Sequence, residues 1–588
     1  MATFTLGLSM AGTVSVGSYT AGSLTEIHSW LDKFYAKRNS GTQVKLVATG
    51  NAGPYKIGDV VVLEPSEIPT HDVQIASLTG ASGGGINAAL LLVGLALNEV
   101  ESILRDTWLN VDVREMLDVS DITNKRDLYA LLNVKPIDAM VEVLKNKVFG
   151  DQNFTTDKGF LADVVELYQT LSSYEGIPFN LSPSIGTGPK LQYGTYFTHM
   201  DYTRFGFAPK ASGLDQQGFD EKPFRLGLNW QKGMRLSQDP NWLKLLQASP
   251  ATAAFPVGFQ PRSLKRYRKE YDGKLFYLDY NNRQAGSATW NYKDISPSWN
   301  AGNPDDSFDM EYFDGGAFNT DTHDLARASL LRKLQLNSLP RTGKEVKAAV
   351  ILIDPFPNEP LDYNPGEKVK GLPDLLNQIP LLLGSLMNQG RFRADWIEKI
   401  TDEEYYSRYL ISAVRKNPDG NLAKFPLAGA SLGAFGGFLD RSFREHDYQL
   451  GNYNTYQFLA EHLLVPIDNK TVTYCQTSDQ ALLDKYEALG WYKPNDSRGR
   501  HCQIIPRFVF QGLLNSKQPE WPTMARSDWS QIVGLAENRG KVLADHITSF
   551  SVMDKPADWA IWKFFGKGKF EKLIQSIEDE LVNRGQLR

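Results

Sequence analysis

The sequence predicts an α/β fold with a mainly parallel central sheet and a largely helical C-terminal part. Three apolar runs of strand length support this prediction, at residues 3–10, 73–78 and 346–353. The first two lead through loops of small residues into helical patterns at residues 24–35 and 86–97. Strands that alternate with helices in this way are typical of a parallel sheet with helices packed on its faces.

The other elements follow in order along the chain. A hairpin is predicted at residues 44–48 and 60–63, and helices at 101–108 and 136–148. A strand at 164–171, ended by the sequence YEGIPF, comes next. A short strand at 310–313 is then followed by a helix at 322–336. Residues 183–313 are rich in aromatic residues, Gly, Asn and Pro, which predicts loops and short strands over a site. We therefore expect a main domain at residues 1–358 with a loop-rich insertion at about 183–313. A mainly helical region at residues 359–588 is expected to pack on it.

The composition is that of a globular protein. The 68 acidic and 63 basic side chains leave a formal charge of -5, which argues against a nucleic-acid partner. Cys475 and Cys502 have neither the spacing of a disulfide framework nor that of zinc ligands. We therefore expect two buried thiols and no metal site, and we likewise expect no cofactor.

The N-terminal residues show no basic region followed by a long apolar core, so no secretory signal is predicted. The longest apolar helical run, residues 86–97, is too short to cross a membrane. These features predict a cytoplasmic protein, with peripheral contact at a membrane as the alternative. They leave the oligomeric state undetermined.

A serine lies at the turn between the second strand and its helix. Residues 80–84 read GASGG, a G-x-S-x-G pattern centred on Ser82. A strand that turns abruptly into a helix strains the central residue and crowds its neighbours, so the flanking positions require glycine. The start of the helix directs N–H groups and a positive dipole at the serine hydroxyl, where an oxyanion would form. We predict that Ser82 is a nucleophile; a glycine-rich connection without chemistry is the alternative.

A second G-x-S-x-G pattern occurs at residues 429–433, which read GASLG. It follows Pro426 rather than a strand, and it runs into Gly436 and Gly437, which weaken any following helix. This context favours Ser82 over Ser431 as the nucleophile.

Two more loops are predicted to reach the same edge of the sheet. The small-residue loop after the first strand, residues 11–24, can offer N–H groups to an anion, but it has no Walker lysine and no G-x-G-x-x-G pattern. Asp314 follows the run at residues 310–313 and precedes Gly315 and Gly316. Loops after parallel strands gather at the carboxyl edge, so Ser82, Asp314 and the first loop are predicted to meet.

These three motifs, in this order and with the sequence ASPATAAFP at residues 248–256 between them, resemble the patatin-like phospholipase family. The stretches DPFP, GGFLDRSFREHDYQLG and NTYQFL, at residues 354–357, 436–451 and 454–459, resemble a larger bacterial branch of that family. The resemblance covers residue 3 to about residue 464. It implies a three-layer α/β fold, a catalytic main domain and a lipid or ester substrate.

The resemblance also implies a Ser-Asp dyad, in which Ser82 attacks an ester carbonyl and Asp314 accepts its proton. The backbone N–H groups of Gly12, Thr13, Val14 and Gly83 would then form the oxyanion hole. Most family members have a run of glycines and an arginine where this chain reads GTVSVG. A position with positive φ would disfavour Val14.

Alternatives remain for both mechanism and function. His323, His446, His462 and His546 all follow Ser82, as a Ser-acid-His triad requires. His446 has charged neighbours on both sides, which favours a structural polar network. The alternatives to a lipid acyl hydrolase are a soluble esterase or thioesterase, and a non-catalytic lipid-binding or interaction protein.

Two further segments suit a lipid substrate. Residues 248–261 and 372–387 have the small, aromatic and apolar residues of an acyl pocket or its cover, or of plain core. At residues 557–572, aromatic residues are mixed with lysines, which suits the boundary between lipid head groups and acyl chains. The apolar stripe that follows, which ends at Leu581, is predicted to dock on the core of the protein.

Overall fold

The computed structural model describes residues 2–122, 129–150, 158–181, 194–209, 225–271, 297–299, 302–303, 305–318, 322–336, 338–356, 405–510, 517–549 and 567–588. Its strands are β1 Thr3–Met10, β2 Val44–Val47, β3 Val60–Leu63, β4 Asp72–Gly80, β5 Leu161–Leu181, β6 Gly194–Phe207, β7 Leu226–Leu228, β8 Arg262–Tyr267, β9 Ser307–Phe313, β10 Ala348–Ile353, β11 Arg408–Ile411, β12 Leu464–Pro466, β13 Tyr492–Asp496 and β14 Gly499–Gln503.

The helices are α1 Gly17–Arg38, α2 Gly83–Leu97, α3 Val100–Leu109, α4 Val113–Met116, α5 Lys135–Lys145, α6 Pro240–Thr252, α7 Thr322–Leu334, the distorted turn α8 Ser431–Ala434, α9 Arg441–Glu461, α10 Gln480–Ala488, α11 Arg526–Ser549 and α12 Lys567–Asn583. Among the helices that the structure describes, none has the length and apolarity that crossing a membrane requires.

The central sheet has the strand order β11-β10-β1-β4-β5-β6-β7; β9 joins it by pairing with β5, and β8 is attached through β9. The first five of these strands run parallel, whereas β6, β8 and β9 are attached by antiparallel pairing. Met10 pairs with both Gly80 and Ile353, and Gly80 pairs with Gln169, so four parallel strands reach the carboxyl edge at the same level. Loops that follow these strands therefore meet at one edge.

Helices cover both faces of the parallel sheet. On one face Leu8 and Ile351 belong to the large core that also contains residues of α1 and α2. On the other face Val350 packs in a smaller cluster with Leu330 of α7. Adjacent residues of one strand thus belong to two different cores, because successive side chains of a strand point to opposite faces. The predicted three-layer α/β fold is confirmed.

The sequence predictions hold best where periodicity is strong. The hairpin β2–β3, the helices α3, α5 and α7 and the strand β10 lie where they were expected. Three predictions were wrong. The strand predicted to end at YEGIPF continues as β5 to Leu181, and the insertion contains the 14-residue strand β6 and the 13-residue helix α6. The strand before Asp314 is antiparallel to β5 rather than part of the parallel set.

The C-terminal part is mainly helical, but it also contributes strands. β11 pairs with β10, so the central sheet extends past the predicted division at residue 358, which stays a prediction. β12, β14 and β13 form a separate antiparallel sheet, which contains the buried thiol of Cys502. Leu581 of α12 is buried against a cluster that includes Phe443 and Trp529, so the end of the apolar stripe docks on the protein itself. Residues 372–387 and 557–566 lie outside the described residues.

Candidate active site

Ser82 occupies the turn between β4 and α2. Its backbone angles are φ 52° and ψ -129°, and α2 begins at the next residue. A positive φ is uncommon for a residue with a side chain and costs roughly 1–3 kcal/mol, so the surrounding structure must impose it. The strained serine that the G-x-S-x-G pattern predicts is therefore present at this turn.

The flanking glycines leave no space for side chains. A Cβ atom on Gly80 would lie 2.2 Å from the carbonyl oxygen of Gly84. A Cβ atom on Gly83 would lie 2.5 Å from the carbonyl oxygen of Thr13, and one on Gly84 would lie 2.4 Å from that of Met10. Any larger residue at these three positions would force the turn apart, which is why the sequence is glycine-rich here.

Asp314 follows β9 and lies against Ser82. The Ser82 hydroxyl donates a hydrogen bond of 2.6 Å to Asp314 Oδ2, and the Gly316 N–H donates one of 2.7 Å to Oδ1. The Asp314 N–H donates to the carbonyl oxygen of Ala254, so the carboxylate is fixed from several sides. Ser82 is 8% exposed and Asp314 is 2% exposed, so water has little access to the bond between them.

Burial dominates the acid-base behaviour of Asp314. Loss of hydration raises the pKa of its carboxyl to about 6, although the hydrogen bonds from Ser82 and Gly316 oppose the rise. A carboxylate with a raised pKa is a stronger base than an ordinary aspartate, and a general base works best when its pKa approaches the operating pH. The environment of Asp314 therefore suits acceptance of a proton from the Ser82 hydroxyl.

The loop after β1 brings Thr13 to the same place. The Thr13 carbonyl oxygen accepts a hydrogen bond of 3.1 Å from the Gly83 N–H and lies 3.3 Å from Ser82 Oγ. Of the predicted oxyanion donors, Gly83 thus already has a partner. Among hydrogen bonds between described residues, none is donated by the N–H groups of Gly12, Thr13 or Val14. Val14 does not have a positive φ, so its side chain is compatible with this loop.

The second G-x-S-x-G segment supports that loop. Ser15 Oγ donates to the carbonyl oxygen of Ala434 at 2.5 Å and accepts from the Gly437 N–H at 2.9 Å, and its own N–H donates to Ala434. Ser431 is fully buried. It is absent from the residues that line the cavity described below.

The histidines belong to other surroundings. His446 Nδ1 lies 2.9 Å from Asp447 Oδ1, and the Asp447 carboxylate accepts hydrogen bonds from the N–H groups of Ala428 and Gly429. His446 therefore joins a structural network that holds the second G-x-S-x-G segment. His462 lies at the C-terminal end of α9 with its ring stacked on Phe458. No histidine is among the described residues that line the cavity at Ser82.

A narrow apolar cavity opens beside the Ser82–Asp314 pair. Its empty space is about 560 Å³ including its mouth. The lining is formed by Thr13, Val14, Ser82, Gly83, Ile86, Thr107, Trp108, Val111, Met116, Ile137, Met140, Ala253, Phe255, Phe259, Asp314 and Phe438. Asp314 is the only ionisable residue among them, so the cavity suits an uncharged apolar chain.

Sequence reasoning did not identify two residues of this site, one that bonds Ser82 and one that lines the cavity. Thr252, at the end of α6, accepts a hydrogen bond of 3.0 Å from the Ser82 N–H. Trp108 of α3 lines the cavity, and its indole N–H donates to Asn87 of α2 at 2.8 Å. Thr252 lies within the ASPATAAFP stretch that the family resemblance used, and this was the only signal for it in the sequence.

Comparison with known proteins identifies a matching family model and similar proteins. Residues 68–326, which include Ser82 and Asp314, match the family model described as patatin-like phospholipase. "Uncharacterized protein y4iI" from Sinorhizobium fredii is 24% identical, over 93% of this chain and 76% of that protein. The crystal structure of VipD from Legionella pneumophila aligns with 98% of this chain and 88% of that one, at 10% identity and a TM-score of 0.23.

Proposed function

We propose that the protein is a serine acyl hydrolase that cleaves lipid esters through Ser82 and Asp314, and the match of residues 68–326 to the patatin-like phospholipase model supports this proposal. The observation that carries the proposal is the hydrogen bond of 2.6 Å from Ser82 Oγ to Asp314 Oδ2. It lies at the edge of an apolar cavity.

In the first chemical step Ser82 Oγ attacks the ester carbonyl carbon while its proton passes to Asp314. The tetrahedral intermediate then collapses, the Asp314 proton passes to the leaving alcohol, and an acyl-enzyme remains on Ser82. Water attacks this ester in the second half, with Asp314 again accepting and returning a proton. Two half-reactions of this kind are general for activated serine nucleophiles.

The oxyanion must be stabilised by backbone N–H groups, because an aspartate base supplies no positive charge to the transition state. Ser82 lies at the N-terminus of α2, where the helix dipole favours negative charge. In this structure the Gly83 N–H donates its hydrogen bond to the Thr13 carbonyl oxygen, and a carbonyl oxygen at this place would repel an oxyanion. Turnover therefore requires the Thr13 carbonyl to turn away, which would release Gly83 as a donor beside the N–H groups of the loop.

The cavity indicates which part of the substrate enters. Its walls include Ile137, Met140, Phe255 and Phe259, and its one ionisable group is the proposed base. An acyl chain matches these walls, whereas a charged head group would find no partner inside. We infer that the acyl chain binds in the cavity and that the head group stays at the mouth.

Labelling with a fluorophosphonate probe tests the nucleophile. We expect the parent protein and Ser431→Ala to be labelled and Ser82→Ala to be unlabelled, with peptide mapping placing the probe on Ser82. Ser431→Ala is a matched control because it alters the same motif elsewhere in the chain. A label on Ser431, or on no serine at all, would refute the proposed mechanism.

A soluble esterase is the second candidate, and the narrow cavity is the observation that favours it. Rates on phospholipid vesicles and on short soluble esters separate the two activities. A lipid acyl hydrolase should show a rate that rises when the lipid is presented as an interface. A soluble esterase should prefer the monomeric ester.

A further inference from the structure

A group of aromatic side chains lies beside Asp314 on the protein surface. It consists of Tyr174, Phe197, His199, Phe313 and Phe318, and we call it the aromatic patch. Phe313 forms its buried base, while Tyr174, Phe197 and Phe318 are 51%, 51% and 43% exposed. Soluble proteins seldom keep several large rings exposed together unless the surface binds something.

The patch is built by a large bulge between β5 and β6. Ser172 pairs with Met200 and Ile177 pairs with Thr198, so residues 173–176 of β5 face only His199 of β6. The Gly176 N–H donates to Ser173 Oγ, and the Ser173 carbonyl oxygen lies 2.8 Å from His199 Nδ1. These bonds fix the bulge, and bulges next to active sites commonly redirect a side chain.

The redirected side chain is Tyr174, which packs on the strand that leads to Asp314. The Tyr174 and Phe313 rings have centroids 4.5 Å apart, and the Phe313 and Phe318 rings have centroids 5.7 Å apart. His199 lies 6.0 Å from Phe318 and completes the connection to β6. These four rings therefore form a connected series. Phe197 lies next to the series, because a Cβ atom on Gly176 would lie 3.2 Å from both Phe197 Cβ and His199 Cε1.

This surface adjoins the segment that carries Asp314. Phe313 immediately precedes Asp314, and Phe318 follows the short helix Gly315–Ala317, whose Gly316 N–H bonds the Asp314 carboxylate. The patch thus flanks, on both sides in the chain, a residue that lines the cavity. A lipid interface bound at the patch would lie next to the segment that carries the proposed base.

Resting on the function proposed above, we propose that the aromatic patch is the surface by which this protein docks on a zwitterionic lipid interface. Tyr and Phe rings suit the boundary between head groups and acyl chains, where one end of the ring is apolar and the other meets water. Glu175, exposed at the centre of the bulge, and the net charge of -5 oppose attraction to anionic lipids. Apolar contact rather than charge therefore drives the docking.

The test uses the full chain with Tyr174→Ser and Phe197→Ser combined, and vesicles of phosphatidylcholine with or without phosphatidylserine. Vesicle binding is measured in a Ser82→Ala background so that the lipid stays intact. Hydrolysis of a short soluble ester is measured with Ser82 present. Tyr196→Ser is the matched control, because Tyr196 is 42% exposed on the same strand but points to the opposite face from Phe197. Circular dichroism confirms that each variant is folded.

We expect the double variant to bind phosphatidylcholine vesicles at least roughly tenfold more weakly than the parent, because it lacks two aromatic rings that transfer from water into the lipid when the parent binds. Its hydrolysis of the soluble ester should stay within about twofold of the parent, and Tyr196→Ser should change neither measurement. Added phosphatidylserine should not strengthen binding.

Equal vesicle binding by the parent and the double variant would overturn the proposal. Absence of binding by the parent, or binding that depends on phosphatidylserine and ignores the double substitution, would also overturn it. Failure of the proposed function looks different. Loss of vesicle binding in the double variant, in a protein that hydrolyses no ester, would leave the docking surface standing and remove the enzyme.

Discussion

The same five-residue motif occurs twice in this molecule, and its two copies do different things. At residues 80–84 the motif joins a buried strand to a 15-residue helix, and its serine contacts a carboxylate at 2.6 Å. At residues 429–433 its first two residues belong to the single helical turn Ala428–Ala430. Leu432 and Gly433 have positive φ, as does Ala434, the residue after the motif. Here the contact with the rest of the protein is made by backbone carbonyl groups rather than by the Ser431 hydroxyl. The carbonyl oxygens of Gly429 and Ala434 accept hydrogen bonds from Ser15 Oγ.

The difference shows that G-x-S-x-G specifies a tight turn and does not by itself specify a nucleophile. A nucleophile also needs a strand that aims the turn at an open cavity, a helix whose N-terminus faces an oxyanion, and a base within hydrogen-bond distance. Ser82 lies directly before α2, lines the cavity and is 2.6 Å from Asp314 Oδ2, whereas the cavity lining does not include Ser431. The second copy positions the loop that lies next to the first.

The largest effect on activity is expected from substitutions at the first copy of the motif and at its carboxylate partner. Ser82→Ala removes the nucleophile, and Asp314→Asn keeps the shape of the side chain but cannot accept the proton. Each should lower kcat for ester hydrolysis by about three orders of magnitude or more, and the double variant should be hardly worse than either single one. Steady-state kinetics on circular-dichroism-checked proteins measure this. More than a tenth of parental activity in either variant would disprove the dyad.

The pH dependence gives the next largest effect. Asp314 must be ionised to act as a base, and its pKa is raised to about 6. We expect kcat/KM to be constant above about pH 7 and to fall about tenfold for each pH unit well below 6. His446→Gln should leave this profile unchanged, because His446 is bonded to Asp447 in the second copy. A profile that His446→Gln alters would favour a histidine base.

The same raised pKa affects stability with a definite sign. The ordinary pKa of this carboxyl is 3.8, so between about pH 4 and pH 6 the folded protein holds a proton that the unfolded chain has released. The contribution of Asp314 to the free energy of unfolding is therefore greatest below pH 4 and is lost as the pH rises through 6. Asp314→Asn should remove this decline, which urea unfolding at several pH values measures.

The two copies also differ in how far the sequence predicted them. The Ser82 turn was predictable because a strand, a glycine turn and a helix are adjacent in the chain and each has a local signal. The role of the second copy depends on contacts between Ser15 and Ala434, more than 400 positions apart, and no local pattern encodes such a pairing. Asp314 was predicted from family resemblance, and its raised pKa depends on burial, which only the fold supplies.

Errors in the fold have similar causes. Gly176 and Pro178 resemble a strand terminus, but here they belong to a bulge and a continuation of β5 that β6 stabilises by pairing. Helix α6 was not predicted because Pro250 lies inside it and its periodicity is weak, although the Asp239 side chain caps its N-terminus. In both cases tertiary contacts outweigh local propensity.

A smaller effect tests the link between the two copies. Ser15→Ala removes the hydroxyl that connects the loop after β1 to Ala434 and Gly437. We expect kcat to fall roughly tenfold, less than the loss of a direct oxyanion donor, with KM nearly unchanged. Ser18→Ala is the matched control, since within the described part of the chain Ser18 Oγ makes only a local bond to the carbonyl oxygen of Ser15. A KM effect without a kcat effect would refute a positioning role for Ser15.

The smallest effect concerns Ser431 itself. Its hydroxyl is fully buried and makes no hydrogen bond with the part of the chain that the structure describes. Removing a buried polar group of this kind loses no interaction, so Ser431→Ala should keep kcat within about twofold and change the free energy of unfolding by less than about 1 kcal/mol.

Gly436→Ala provides the contrast, because a Cβ atom there would lie 1.8 Å from Ser431 Oγ. It should destabilise the protein by about 1–3 kcal/mol through overpacking. Adding Ser431→Ala removes the nearest clashing atom and leaves the next contacts at 3.0 Å, so the double variant should recover part of that loss. Urea unfolding of the four proteins gives the coupling energy. Strictly additive effects would mean that the hydroxyl of Ser431 does not limit packing at this turn.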